Sequence, residues 1–430
     1  MKKYTIVGGG TAGWLTALYV KKKCPEYDVT VIASSEIGIL GAGEGTTPNF
    51  VSFLELIDIP VNDIIEYAKG TFKNGIKFTN WNGDGKNYHH FFQVHYDQII
   101  KETNGKVALH FDANLLAKYL QSVGLKRGIE LIDDEVVGIN TDSDGYISDF
   151  KLKSGLTTTT DFVFDCSGFR RLIIGNFYKS KWNSYKDYLP VNRAMPFFLQ
   201  NDSGDLPPYT ESIAMKYGWM WKIPVKGRYG CGYVFDSSYV SDEEIKAELE
   251  KYLGHEINSP RMFSFEPGCY EDICIKNCIA IGLSAGFVEP LEATSILVSI
   301  LMLRNWNNIK TEIENKNSTE IEILNMYSKR INKDILNFIH FHYLTKRNDS
   351  KFWTDFSTKN KKLPFIEDFS DVMKTSLPEQ SILDYLTAIE TIRDGTPKIN
   401  FTSLFKPFSW LQVGVGINFF NLKNEECLTV

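Results

Sequence analysis

The chain reads as an α/β (α+β) protein, with a dinucleotide-binding module carrying mixed sheets and then a mainly helical module. Three observations carry that expectation: a glycine-rich turn joins a strand to a helix near the N-terminus, short alternating segments fill the middle, and long helical stretches begin near Leu291. The expected division is residues 1–300 for the nucleotide module, with an inserted second sheet, and 301–430 for the helical module. At 430 residues the chain is long enough for two cores.

The first element pair sets the fold. "YTIVGGGTAGWLTALYVKKKCPEYDVTVIAS" runs strand, glycine turn, amphipathic helix, strand, and places Gly8, Gly10 and Gly13 as G-x-G-x-x-G. In that context the motif means a tight turn, close backbone approach to a pyrophosphate, and a helix N-terminus facing the anion. A dinucleotide fold ordinarily ends its second strand with an acidic residue for a ribose hydroxyl. Here "VTVIASSE" ends in Ala33, with Ser34 and Glu36 as the nearby substitutes. A second glycine-rich loop, "GILGAGEGTTP", follows at 38–48.

"KGTFKNGIKFTNWNG" alternates as a strand, with Phe72, Ile76 and Phe78 on one face and Lys73, Gly75 and Lys77 on the other. "LHFDANLLAKYLQSVG" reads as a helix whose start carries His110 and Asp112. "TTTTDFVFDCSGFRR" gives a strand ending at Asp165, a late return to the nucleotide. Residues 178–270 read as strands and loops, and within them "WMWKIP" (219–224) puts Trp219 and Trp221 on one face of a strand that Ile223 and Pro224 close. From Leu291 onward the reading is helical, and "LEATSILVSILMLRNW" is the most continuous stretch.

Composition excludes several classes. The net charge is −6 with no basic block, which argues against nucleic acid and anionic membrane. The 29 Phe and 21 Tyr favour a site for flat apolar ligands. Seven scattered cysteines make no disulfide framework, and Cys269, Cys274 and Cys278 fit no zinc spacing, so no metal is expected. Glycines at 8–10 interrupt any signal-peptide core, and "SILVSILML" is too short to span a bilayer, so a cytoplasmic protein is expected.

Taken together, "GGGTAGW" (8–14), "GAGEGTTP" (41–48), "DCSG" (165–168), "WMWKIP", "RYGCGYVF" (228–235) and "NCIAIGLSAGFVEPLEATS" (277–295) resemble the flavin-dependent halogenases, in particular the tryptophan-halogenase-like family. The likeness spans the whole chain, and W-x-W-x-I-P separates these enzymes from flavin monooxygenases of similar fold. The resemblance implies a flavin monooxygenase-like FAD module. It assigns cofactor contacts to Gly8, Gly10, Thr11, Ala12, Gly13, Ser34, Glu36, Ala42, Gly43, Glu44, Asp165, Gly282 and Leu283. It also implies reduced FAD, dioxygen and a halide ion (chloride, bromide or iodide), which together generate hypohalous acid. With no nicotinamide site in the sequence, a separate flavin reductase is the expected supplier of reduced FAD.

The same resemblance supplies roles. Lys73 matches the family's catalytic lysine in the pattern Gly70, Phe72, Lys73, Asn80, Trp81, although alternation alone does not separate it from Lys77. Glu292 matches the catalytic glutamate, and the amides of Thr294 and Ser295 match the halide-holding segment, with Ala293-Thr294-Ser295 in place of the usual Ser-Thr-Gly. Trp219, Trp221, Ile223 and Pro224 match the wall between flavin and substrate. In "NYHHFF" His89 and Phe91 match the substrate-stacking pair, with His90 where a proline is common. No match appears for the tyrosine pair and glutamate that grip the amino-acid end of tryptophan. The expected substrates are therefore electron-rich aromatics, indoles and phenols, rather than tryptophan. A flavin monooxygenase and a non-catalytic flavin-binding protein stay open as other readings, as does assembly into a homo-oligomer.

Overall fold

A computed structural model describes residues 2–38, 44–92, 107–258, 262–359 and 404–419. Two compact units interleave along the chain rather than following one another. The first gathers Met1–Thr71, Ala108–Ser184 and Gly268–Arg330; the second gathers Phe72–Val107, Tyr185–Pro267 and Ile331–Val430.

The first unit is built on a six-stranded sheet in the order Cys274–Ile275, Cys278–Ala280, Phe162–Asp165, Lys3–Val7, Asp28–Ala33, Glu130–Asp133. Every neighbouring pair is parallel except the first. Parallel strands need both faces covered, and the sequence supplies it: Tyr4, Ile6, Val31, Val163 and Phe164 are all buried. The helix Thr11–Lys23 is buried along nearly its whole first two and a half turns. Gly124 of the helix Ala113–Lys126 has no room for a side chain, because a Cβ there would lie 2.7 Å from the Trp14 ring. From the helix Thr294–Glu314, Trp306 packs edge-on to Phe164 at 4.9 Å and Tyr4 at 6.0 Å.

The start of the second of these helices differs from expectation. Ala108–Phe111 is a strand, so His110 lies in it, where its Nδ1 meets the Thr71 hydroxyl at 3.2 Å. The helix begins only at Ala113, because Asp112 caps it, its Oδ1 accepting from the amides of Asn114 and Leu115 at 3.0 and 3.1 Å.

The second unit holds a seven-stranded sheet in the order Phe263–Ser264, Arg193–Gln200, Arg228–Phe235, Gly218–Val225, Tyr209–Met215, Gly75–Thr79, Asn87–Phe91. Gly75–Thr79 and Tyr209–Met215 run parallel and the other neighbours antiparallel. Against one face lie Met195, Phe197, Ile213, Met215, Met220, Tyr233 and Phe235, closed over by Ile245 and Leu249 of the helix Asp242–Leu253. That helix is absent from the sequence reading of 178–270. A reciprocal capping box starts it, with Ser241 accepting from the Glu244 amide and Glu244 accepting from the Ser241 amide.

Pro224 ends pairing on one side only. The ladder with Tyr209–Met215 stops at Glu211–Lys222, whereas the ladder with Arg228–Phe235 continues through Pro224 opposite Tyr229 to Val225 opposite Arg228. A proline fits where the strand's own N–H has no partner to meet. The described C-terminal helices are Ser318–His342, Lys351–Lys359 and Pro407–Gly416. Among the described residues, no helix is long and apolar enough to cross a membrane.

Candidate functional site

In the first unit the carboxyl edge of the parallel sheet meets the N-terminus of the helix Thr11–Lys23. Gly8 has φ +121°, and a Cβ on it would sit 2.2 Å from the Cys166 carbonyl oxygen. A Cβ on Gly13 would lie 1.9 Å from the Gly8 carbonyl. Only glycine allows this turn. Gly10 faces open space, and among the described residues no side chain caps the helix and the buried Thr11 hydroxyl has no hydrogen-bond partner. Exposed backbone, uncapped amides and an unpartnered hydroxyl at one helix end suit the pyrophosphate of FAD. Gly282 brings the Gly282–Ser284 turn to this helix, since its Cβ would be 2.9 Å from that of Ala12, and Leu283 is half-buried beside it.

Other assigned cofactor residues have different occupations. The Asp165 carboxylate is fully buried and spends itself on its own turn: Oδ1 accepts from the Ser167 amide and hydroxyl, and Oδ2 from the amides of Ile173 and Ile174 at 2.9 and 3.0 Å. It shapes the loop and offers no spare oxygen in an obvious direction. Glu36 is largely exposed and paired with Lys153 at 3.0 Å. Beside Ala33, on the next strand, stands Asp133, whose Oδ1 accepts from the Ser35 amide at 2.8 Å. A carboxylate from a hundred residues further on thus stands beside the place where the second strand lacks one, which local sequence reading cannot find. Ala42 and Gly43 lie outside the described residues; Glu44 begins the short strand Glu44–Gly45.

The same unit carries Glu292 in the turn Pro290–Glu292, with Glu289 just before it, and both carboxylates are buried. Ala293 follows with a left-handed backbone, φ 54°, and serves as the N-cap of the helix Thr294–Glu314 with no side-chain cap. The amides of Thr294 and Ser295 therefore open a 21-residue helix at its positive end.

In the second unit the sheet register sorts the remaining candidates. Trp219 pairs with Ala214, and Trp221 with Ser212 and Gly232, so both indoles stand on one face. Trp221 lies flat over Gly232, where a Cβ would be 2.1 Å from its ring. Trp219 is fully buried, and among the described residues its indole N–H has no acceptor. Ile223, on the same face, and Pro224, on the other, are buried as well.

That register also divides "NYHHFF". Tyr88 pairs with Phe78 and His90 with Ile76, on the tryptophan face. Tyr88 stacks on Phe78 at 4.7 Å, His90 meets Phe338 at 5.4 Å, and Phe92 stands edge-on to His90 at 6.1 Å. His89 and Phe91 occupy the opposite face, stacked on each other at 4.9 Å and edge-on to Tyr209. Burial and the nearby Lys77 push the His89 imidazole below its ordinary range. The structure puts His89 and Phe91 on the face opposite the tryptophan pair and His90 on the face that pair shares, with Phe92 edge-on to it.

The two lysines part in the same way. Asn74 breaks the expected single strand into Thr71–Lys73 and Gly75–Thr79. Phe72, expected inside with Ile76 and Phe78, is half exposed, and Lys73 is fully buried with Nζ 5.2 Å from the Phe92 ring centroid. Lys77 faces the other way, bonded to Glu211 at 3.0 Å beside the Thr79 hydroxyl. A fully buried ammonium against an aromatic face is costly, and such groups are concentrated at functional sites.

These features define a dinucleotide-binding flavoprotein with a second unit that carries a buried lysine and a ring-lined sheet face. The family model for tryptophan halogenase matches residues 3–104 and 96–429, and the chain belongs to that family of FADH2-dependent oxidoreductases. The chain is 30% identical to tryptophan 6-halogenase SttH of Streptomyces toxytricini, over 84% of this chain and 82% of the relative. It is 29% identical to tryptophan 7-halogenase RebH of Lentzea aerocolonigenes, over 82% and 78%. Among solved structures, the flavin-dependent halogenase Xcc4156 from Xanthomonas campestris superposes with a TM-score of 0.85 at 26% identity, covering 98% of this chain and 89% of that one. The family implies FAD, halide and dioxygen, and an aromatic substrate.

Proposed function

We propose that the protein halogenates electron-rich aromatic rings, indoles and phenols, on the tryptophan-bearing face of the second unit's sheet. The observation that carries this reading is Lys73, fully buried with its ammonium against Phe92. When bound, reduced FAD with dioxygen supplies the oxidising power that converts halide to hypohalous acid. The Gly8–Gly13 turn, Thr11, the Gly282–Leu283 segment and Asp133, which takes the ribose role, would hold the cofactor. The amides of Thr294 and Ser295 hold the halide at a helix N-terminus, with no cationic side chain needed.

Lys73 is the group that receives hypohalous acid. Its ammonium donates a hydrogen bond to the oxygen and leaves the halogen more electrophilic; low-dielectric surroundings strengthen that bond. By the family resemblance, Glu292 is the acceptor for the proton released when the ring rearomatises. Phe92, half-buried beside Lys73, is the ring offered to a flat substrate, with His90 edge-on to it; Tyr88, between Phe78 and the Gly416 backbone, and Phe338, stacked on Phe405, are packed into the unit behind them. The sequence's lack of a match for the grip on tryptophan's amino-acid end supports free indoles and phenols over tryptophan. The family resemblance gives the Trp219–Trp221 pair the role of a wall between arene and flavin, and a separate flavin reductase supplies reduced cofactor.

The test is mass spectrometry of an aromatic panel with chloride, bromide or iodide under reductase-regenerated flavin. Halide-dependent mono-halogenation is the expected result. Tryptophan outcompeting both indole and phenol would remove the substrate assignment. Oxygenated product formed without halide would replace halogenation by monooxygenation.

A further inference from the structure

The reaction-face tryptophans do not stand alone. From Trp221, a run of oxidisable rings leads through the second unit. Trp221 meets Trp219 at 6.3 Å between ring centroids, Trp219 meets Trp81 at 6.4 Å, and Trp81 meets Trp353 at 5.8 Å. The Phe352 ring, 5.1 Å from Trp353 and 5.9 Å from Tyr239, bridges to a half-buried tyrosine whose hydroxyl donates to the Asp355 carboxylate at 3.1 Å. We propose that this series is a hole-transfer route that carries oxidising equivalents from the reaction face to Tyr239, where an external thiol can quench them.

Tunnelling falls off exponentially with distance, so rings in near contact pass a hole in steps far faster than one long jump. The direction follows from what each ring can do with its proton. Among the described residues Trp219 has no acceptor at its indole nitrogen, while Trp81 and Trp353 donate to backbone carbonyls, of His342 at 2.6 Å and Met215 at 2.8 Å. Carbonyls are poor bases, so an oxidised ring keeps its proton, stays strongly oxidising and hands the hole on. Tyr239 differs, because its acceptor is a carboxylate. Loss of its electron is coupled to passage of the phenolic proton to Asp355, and the hole stops there as a neutral phenoxyl. Arg347 has its guanidinium 4.9 Å from the Trp353 ring, but Asp349 neutralises it through bonds of 2.7 and 2.9 Å.

The electron balance is complete. Stray hypohalous acid takes one electron from Trp221, releasing hydroxide and a halogen atom, and that atom takes a second electron by the same route and leaves as halide, so each molecule of acid sends two vacancies along the chain. Each vacancy moves through Trp219, Trp81 and Trp353, and Tyr239 gives up the final electron. A thiol then returns a hydrogen atom's worth of electron and proton, regenerating Tyr239 and leaving a thiyl radical that pairs to a disulfide. The origin of the oxidant rests on the proposed function; the route itself rests only on the ring geometry.

The experiment separates the two. In pulse radiolysis with azide, the azidyl radical oxidises tryptophan in preference to tyrosine and needs no flavin chemistry. In the wild-type protein the indolyl signal should decay in a first-order step while a phenoxyl signal rises at the same rate. Tyr239→Phe, which removes only a hydroxyl near the surface, should lose most of that rise, and Trp81→Phe should slow it severalfold. In a second arm, substrate-free turnover with bromide should raise peptide-mapped oxidation of Trp219 and Trp221 severalfold in Tyr239→Phe over wild type. A phenoxyl yield unchanged in both variants overturns the proposal, whatever the second arm gives. An intact radiolysis result with no indole oxidation in the second arm retains the route and removes hypohalous acid as its source.

Discussion

Met220 and Trp221 are neighbours on one strand, yet they enter different surroundings. Met220 faces Ile213 and Tyr233 in a closed apolar core under the helix Asp242–Leu253. Trp221 faces Ser212 and Gly232, on the side that also carries Trp219, His90 and Tyr88. One face of this sheet is spent on holding the unit together. The other collects rings, an imidazole and, beside Phe92, a buried ammonium. The lesson is that alternation, rather than residue type, assigns surroundings here: His89 and His90, or Lys77 and Lys73, are chemically equivalent and differ only in the side they take.

Substitutions paired across the sheet can break or sharpen that contrast. The largest effect is expected at Lys73. Lys73→Ala should lower halogenated product on the order of a thousandfold while the flavin absorption spectrum of the loaded protein is retained. Product at the wild-type rate would take Lys73 out of the chemistry. Next, Met220→Ala on the core face should cost about 3 kcal/mol of stability in denaturant unfolding, with kcat little changed once folded. A loss of kcat without loss of stability would show that this face, too, reaches the reaction.

His340 probes the helix that lines the ring face. Its Nδ1 lies 2.8 Å from the Tyr188 carbonyl, so that nitrogen carries the proton, and Nε2 is buried with no donor among the described residues. Burial pushes its pKa down to about 4, partly offset by the bond to Tyr188. A lowered folded-state pKa means that the unfolded chain binds the proton first. The stability is therefore complete above pH 6.5 and declines as pH falls from there towards 4, by about 3 kcal/mol in all. His340→Gln should flatten that part of a stability-against-pH curve; an unchanged slope would contradict the assignment.

Smaller effects belong to the histidine pair and to Lys77. His90→Ala should lower kcat/KM for an indole about tenfold, and His89→Ala should leave it near the wild-type value. Equal losses would mean that the two faces are not functionally distinct. Lys77→Ala removes a half-buried ion pair with Glu211 and should cost below about 1 kcal/mol, read as a small shift in unfolding midpoint with halogenation kept.

The sequence made the N-terminal strand–turn–helix unit legible because three glycines at fixed spacing leave one geometry for the chain. The tryptophan strand was legible for a similar reason: i and i+2 share a face whatever the partner strand. "NYHHFF" was not, because it contains two overlapping His-x-Phe pairs of opposite parity, and only the pairing with Gly75–Thr79 chooses between them. Lys73 and Lys77 looked alike until Asn74 interrupted the strand. The helix Asp242–Leu253 carried its signal in Ser241 and Glu244, a local cue that the alternating surroundings obscured. Asp133 gave no local cue, since its place beside Ala33 exists only once distant strands pair.

The most direct test of the central claim is a single comparison on the wild-type protein, loaded with FAD and supplied with a reductase, acting on indole with bromide present or withheld. Brominated indole with bromide and no modified indole without it is the predicted result. Hydroxylated indole in bromide-free buffer would contradict it.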